Sequence, residues 1–355
     1  MLSNITTWDR KTTLRARLLL GVSILSVLLS SAMLVSVSVG PVPISLANVL
    51  SVLLSIGPIE TTLHTPLESL IVTELRLPRI IVGIFVGIGL SVAGVTMQAL
   101  FRNPMADPGI IGVSAGGSFG AVIAITLQLD KYLFISVPAC AFIGSLLASI
   151  IVYSFGHSKG QLSMPALLLA GVAVSAFFSS LISAIVVLEK DTNSVREILF
   201  WLAGGLDSRS WEHAITAGPL IILGAILIMF YSRDLNLLNL NDDDAKGMGI
   251  NVNVTRPFLI ILSALLTGMA VAVSGTIIFV GLITPHILRL IVGPDHRILV
   301  PLSALTGALF VVSADTLART VIQPAELQVG MVTSFLGAPF FLFLLVKNKN
   351  RLHNL

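Results

Sequence analysis

The sequence predicts an all-α, polytopic membrane protein with about ten transmembrane helices. Two observations lead there. Apolar residues make up 55% of the chain and charged residues only 11%, where a soluble domain carries about a quarter charged residues. The apolar residues also fall in repeated runs of the ~20 residues needed to cross the hydrocarbon of a bilayer. With no water there, backbone polar groups must pair internally, so each run is a helix or a strand of a closed barrel. Barrel strands alternate apolar and polar residues. The stretches 219–231 and 335–346 do not alternate, which leaves helices.

The expected spans are residues 18–39, 80–100, 109–127, 135–155, 165–188, 214–231, 257–273, 277–292, 299–317 and 327–346. The first follows Arg10, Lys11, Arg15 and Arg17 and is longer than the core of a cleaved signal peptide, so it reads as a retained helix. An even number of spans puts both termini on one face. With the termini inside, the 21 lysines and arginines divide 14 on inner loops to 7 on outer ones, the bias expected of cytoplasmic loops. The organisation is then a cytoplasmic N-terminal segment (1–17), a transmembrane domain (18–346) and a cytoplasmic tail (347–355). Three loops stand out. Residues 40–79 lie outside and include an apolar stretch, 45–56, too short to span and suited to an interfacial helix. Residues 189–213, also outside, predict a short rim helix ended by Gly204 and Gly205. The largest inner loop, 233–256, carries Asp242, Asp243 and Asp244.

Glycines recur within spans, among them Gly83, Gly87, Gly89, Gly94, Gly116 and Gly120. Small residues let membrane helices approach closely. Ionisable residues are nearly absent from span centres, with Asp315, near the outer end of its span, the nearest exception. An ion-coupled carrier keeps such groups at mid-depth, so this class is disfavoured. The sequence holds no G-x-x-x-x-G-K-[ST] phosphate loop, so if ATP drives transport another subunit binds it. Six scattered histidines show no metal-ligand spacing, the single Cys140 lies in an apolar run, and no Ser/His/Asp grouping suggests an enzyme.

Three separated motifs carry a family resemblance. Glu74-Leu75-Arg76-Leu77-Pro78-Arg79 leads to Gly87, Gly89, Gly94 and then Asn103-Pro104-Met105-Ala106-Asp107-Pro108-Gly109. Gly275 to His286 form the second motif, continuing to Arg289, and Glu326-Leu327-Gln328-Val329-Gly330 with Gly337-Ala338-Pro339 the third. Together they resemble the FecCD-type permeases of ATP-binding-cassette importers, which take up ferric siderophores, haem and cobalamin.

The resemblance implies a permease for an iron chelate, a ferric siderophore first, with haem or cobalamin as alternatives. It implies a second permease subunit, in the simplest case another copy of the chain. It also implies two ATP-binding subunits, which hold the ATP and magnesium, and an extracytoplasmic substrate-binding protein. This chain is expected to hold no cofactor and to bind no nucleic acid, and to sit in a bacterial inner membrane. Arg76, Arg79 and Arg319 match outer arginines that meet carboxylates of the binding protein. Asn103, Pro104 and Met105 match a cytoplasmic gate. Asp242, Asp243, Asp244, Ala245 and Gly249 match the loop that seats in the ATPase. That loop departs from the family: Leu240-Asn241-Asp242 stands where Leu-Gly-Glu is common, and Met248 replaces a leucine.

Overall fold

The computed structural model describes residues 7–55, 64–158, 161–240 and 242–352. Ten apolar helices among them coincide with the ten expected spans: α1 (Thr7–Ser38), α4 (Leu77–Leu100), α5 (Val113–Thr126), α6 (Ser136–Gly156), α7 (Met164–Leu188), α9 (Trp211–Phe230), α12 (Val252–Ser274), α13 (Val280–Val292), α14 (His296–Thr320) and α15 (Val329–Leu352). Seven are long and apolar enough to cross a membrane. Short helices connect them: α2 (Leu46–Ser55), α3 (Pro66–Leu70), the rim helix α8 (Thr192–Ala203), α10 (Ser232–Leu238) and α11 (Asp242–Gly247). A two-residue hairpin pairs His157–Ser158 with Gln161–Leu162.

The expected outer loop 40–79 is shorter than the sequence suggests. A capping box at Thr65, whose hydroxyl accepts from Glu68 N while the Glu68 carboxylate accepts from Thr65 N, starts a helix at Pro66. The helix then runs unbroken to Leu100. Its turn Ile71–Arg76 is a π-turn that closes with Leu77 N donating to Val72 O. The wider turn accommodates Pro78, which has no N–H to offer. Arg76 and Arg79 thus lie within a helix and not in a loop. The apolar stretch 45–56 forms α2 up to Ser55, which packs Val49 and Val52 beside Val37, Val72 and Val312; Ile56 lies outside the described residues.

Helix α4 is the hub, with most of its length buried between α9, α12, α13 and α14. Glycine sets the distance. A Cβ on Gly94 would lie 2.0 Å from Gly281 O, and one on Gly87 would lie 2.3 Å from Gly307 O. Here backbone meets backbone, and no side chain can yield.

Two helices are shorter than their expected spans. At 1.5 Å per residue, α5 and α13 reach only about 20 Å, against roughly 30 Å of hydrocarbon. Before α13 the chain is not helical between Gly275 (φ 65°) and Phe279 (φ 71°). Such backbone is tolerated at depth only where protein buries it. The stretch and the end of α12 are joined to two other non-helical segments, 204–205 and the one before α15. Gly205 N donates to Ser274 O (2.8 Å), Gly330 N to Gly204 O (2.9 Å), and the Thr276 hydroxyl to Leu202 O.

Gly94→Val forces α4 and α13 apart, and overpacking of this kind costs about 1–3 kcal/mol or more. Thermal unfolding in detergent should show a marked drop for Gly94→Val. Gly247→Ala, with nothing within 4 Å of its added carbon, should stay near wild type; equal effects would contradict the packing role.

Candidate functional site: an outer ionic cluster and an inner clamp

Arg79, on the first turn of α4, reaches three carboxylates from three parts of the chain. Its Nε donates to Asp315 Oδ1 (2.9 Å) and its Nη1 to Glu326 Oε2 (2.8 Å). Its Nη2 lies 3.0 Å from Asp207 Oδ1 and 2.8 Å from Asp315 Oδ1, in ion-pair rather than hydrogen-bond geometry. Asp315, on α14 and 1% exposed, gives its other oxygen to Arg319 Nε at 3.1 Å. One buried carboxylate therefore bridges two guanidiniums.

Arg319 and Arg76 spend their remaining donors on the end of α1. Arg319 Nη2 donates to Ser36 O (3.1 Å) and Ser36 Oγ (2.6 Å), and its Nη1 to Val39 O (3.3 Å). Arg76 donates to Val37 O and Val42 O. The last carbonyls of a helix have no partners within it, and cations favour that negative end. The two arginines supply both the hydrogen bonds and the charge.

Arg76 and Arg319 are 5% and 3% exposed, and their guanidiniums face these internal acceptors. Neither presents a free guanidinium to an outside carboxylate in this conformation. Arg79 sits closest to the surface, and two of its partners, Asp207 and Glu326, are partly exposed and line a cavity of about 610 Å³. Burial pushes the neighbouring Arg209 guanidinium down to about 10, against the opposing pull of Asp207.

At the opposite end, α4 stops in a Schellman-type turn, with Arg102 N bonded to Ala99 O (3.2 Å) and Asn103 N to Gln98 O (3.1 Å). The left-handed position (φ 50°) is Arg102, where glycine is usual and a side chain costs about 1–2 kcal/mol. Arg102 is held there by its side chain: Nε donates to Leu238 O (3.1 Å) and Nη2 to Asp242. Next to it Asn103 Oδ1 accepts from Met105 N (2.9 Å), a local turn closed by the side chain, with Pro104 between them. Asn103 and Pro104 are exposed and Met105 is half-buried.

Asp242 is the hinge pin of the expected ATPase loop. Arg256 grips it with two bonds, Nη1 to Oδ2 (2.9 Å) and Nη2 to Oδ1 (2.7 Å). The Arg256 hydrogen bonds hold the Asp242 carboxyl down at about 2, so it stays anionic at any physiological pH. Ala245 is fully buried, while Asp243, Asp244, Lys246 and Met248 face outward. Gly249 (φ 90°) ends the segment in a second Schellman-type turn, with Ile250 N donating to Ala245 O (3.1 Å). Open space surrounds Gly249, so its backbone angle, not crowding, requires glycine. Asn241 lies outside the described residues. A second tie fixes α10: Asn236 Nδ2 donates to Asp295 Oδ1 (2.8 Å), while Asn236 Oδ1 accepts from His296 N (2.9 Å) and pairs with His296 Nδ1 (2.7 Å).

Arg102, Arg256, Asn236 and Asp207 are parts that sequence reasoning missed. For Arg102 and Arg256 the available signal was charge at a span edge; Arg102, Asn236 and Asp207 find partners 59 to 140 residues away. Among the described residues no group of three or more His, Cys, Asp or Glu side chains gathers where a metal ion could be held.

Comparison with known proteins decides what kind of machine this is. Residues 27–347 match the model of the FecCD transport family. The chain belongs to that family. It is 39% identical over 354 residues to the cobalamin import system permease protein BtuC of Halobacterium salinarum, covering 90% of this chain and 94% of that one. It is 41% identical over 284 residues to the Fe(3+)-citrate import system permease protein YfmD of Bacillus subtilis, covering 80% and 83%. A solved metal-chelate type ABC transporter in an inward-facing conformation superposes with a TM-score of 0.80 at 31% identity, covering 91% of this chain and 97% of that one. The FecCD chain described here is thus an integral membrane permease of the ABC importer type, a transport component.

Removing one member of a buried ion pair strands the other, at a cost of about 3–5 kcal/mol. Asp315→Ala should therefore lower thermal stability sharply, leaving Arg79 and Arg319 without their shared carboxylate. A variant that unfolds with wild type would contradict the bridging role.

Proposed function

We propose that this chain is the membrane-spanning subunit of an importer that moves an iron chelate, a ferric siderophore in the first instance, across a bacterial cytoplasmic membrane by alternating access. The observation that carries the reading is the family match over residues 27–347, joined to the likeness with a metal-chelate type transporter. In this reading a second copy completes the passage, both termini face the cytoplasm, and an extracytoplasmic protein delivers the cargo. Two ATPase subunits burn the fuel, and this chain itself holds no cofactor.

The face built from Asp243, Asp244 and Met248 is the part of the inner loop free to seat in the ATPase. Asp242 and Ala245 hold that face in place from behind, and Gly249 turns the chain away from it. The Asn103-Pro104-Met105 turn, clamped through Arg102 to the same loop, is placed to close the passage at its inner end. At the outer end the docking role falls to Arg79. A carboxylate of the binding protein would take the place of Glu326, the more exposed partner of Nη1. Arg76 and Arg319 support this by fixing α1. Cobalamin is the second reading, favoured by the likeness to the cobalamin permease of Halobacterium salinarum.

Uptake by the reconstituted full complex, with ferric siderophores, haemin and cobalamin in competition, decides the cargo: a siderophore should outcompete the others. Dominant cobalamin uptake would move the assignment to the second reading. Glu326→Ala should free Arg79 Nη1 and strengthen binding of the delivery protein by a few-fold, as expected for a partly exposed charge pair. Unchanged or weaker binding would contradict the exchange.

A further inference from the structure

The seam between α6 and α12 leads from an apolar cavity to a second one beside the inner loop, and the transport reading gives neither of them a ligand. The first, of about 200 Å³, is lined by Ser149, Ile150 and Tyr153 of α6, Ile260 and Ile261 of α12, and Leu167 of α7. The second, of about 150 Å³, is lined by His157, Asp242, Lys246, Arg256 and Pro257. The second lies just beyond the end of α6 and takes its lining from His157, α11 and the start of α12, so the two follow one another along α12. Tyr153 and His157 are one turn apart and their rings stack at 5.7 Å; Pro257 and Ile261 are one turn apart on α12. The seam therefore passes from an apolar crevice to a polar pocket. The change comes where two apolar helices end, α6 at Gly156 and α12 at Val252, and the ends of spanning helices are where headgroups are expected.

The pocket carries a surplus of positive charge. Its lining holds two cations, Arg256 and Lys246, and one anion, Asp242, which Arg256 shares with Arg102 outside the lining. The nearest counter-charge to Lys246 is Asp243 at 3.6 Å, whose side chain is 97% exposed. Arg256 is 7% exposed and its Nε, buried, has no hydrogen-bond partner. A buried guanidinium donor without an acceptor is costly, and a phosphate oxygen would satisfy it. A crevice that opens to the bilayer interior is filled by hydrocarbon, since water is excluded there.

We propose that the α6–α12 seam binds one anionic phospholipid, with an acyl chain in the apolar crevice and the phosphate against Lys246 and Arg256. Basic pockets between helices at the cytoplasmic face select acidic headgroups. A choline headgroup brings its own cation to Lys246 and is disfavoured. The bound lipid steadies α11 against α12 from outside the fold. Lipid binding itself does not depend on which cargo or ATPase the chain serves.

Native mass spectrometry of the full chain, titrated with phosphatidylglycerol or phosphatidylcholine, tests this. Wild type should retain one phosphatidylglycerol with roughly fivefold or greater preference, the scale expected for one or two basic contacts. Lys246→Gln should bring the preference close to one. Ile261→Trp, a change on the lipid face that fills the crevice, should lower retention of both lipids. Helix content by circular dichroism confirms that each variant is folded, and if Lys246→Gln is not, Ile261→Trp decides alone. Equal retention of the two lipids by wild type would overturn the proposal, as would a preference that survives Lys246→Gln or lipid retention unaffected by Ile261→Trp. Displacement of phosphatidylglycerol by millimolar inorganic phosphate would reassign the pocket to a free anion and equally overturn it.

Discussion

One carboxylate, Asp315, holds the outer end of this protein together. It is 1% exposed and shared between Arg79 and Arg319, and through them it ties α4 and α14 to the end of α1 and to the loops carrying Asp207 and Glu326. Its importance follows from the solvent. Where water is excluded, an unpaired charge or backbone group costs too much to persist. The same rule explains why two arginines cap α1, and why the non-helical stretch before α13 bonds Leu202 and lies against Gly204 and Gly330. What looks like three local oddities is one requirement met three times.

Helix α14 connects that cluster to the other end. Its N-terminal residues Asp295 and His296 are held by Asn236 of α10, and Asp315 stands near its outer end. At 1.5 Å per residue the helix is about 37 Å long. The outer cluster and the inner loop are therefore attached to the same rod. Helix α4 repeats the arrangement, with Arg79 at one end and Arg102 at the other. These shared rigid elements are a physical basis for moving both ends together.

Much of this was legible in the sequence. Ten apolar runs located ten helices, because hydropathy reports burial in lipid directly. Gly87 and Gly94 were readable as close-contact positions, and Asp315 as an exceptional charge. The rest was hidden for identifiable reasons. Glu68, Glu74, Arg76 and Arg79 made residues 66–79 resemble a loop, yet Arg79 finds its partner 236 residues away in the chain, and no local pattern reveals such a pairing. The shortness of α13 was hidden because Gly275–Phe279 is as apolar as a helix. Exposure of the outer arginines was invisible too, since it depends on where α1 ends.

The same geometry bears on the source of energy. A carrier driven by an ion gradient needs a carboxylate free to take up and release the ion. Both oxygens of Asp315 are occupied by guanidiniums, and Asp242 is gripped by two arginines. These two carboxylates lock structure in place. The most direct test is cargo accumulation in sealed vesicles. Vesicles holding this chain with its ATPase and binding protein should accumulate the chelate only with ATP, and those holding this chain alone should not accumulate it under a proton or sodium gradient. Accumulation by the chain alone would contradict the account.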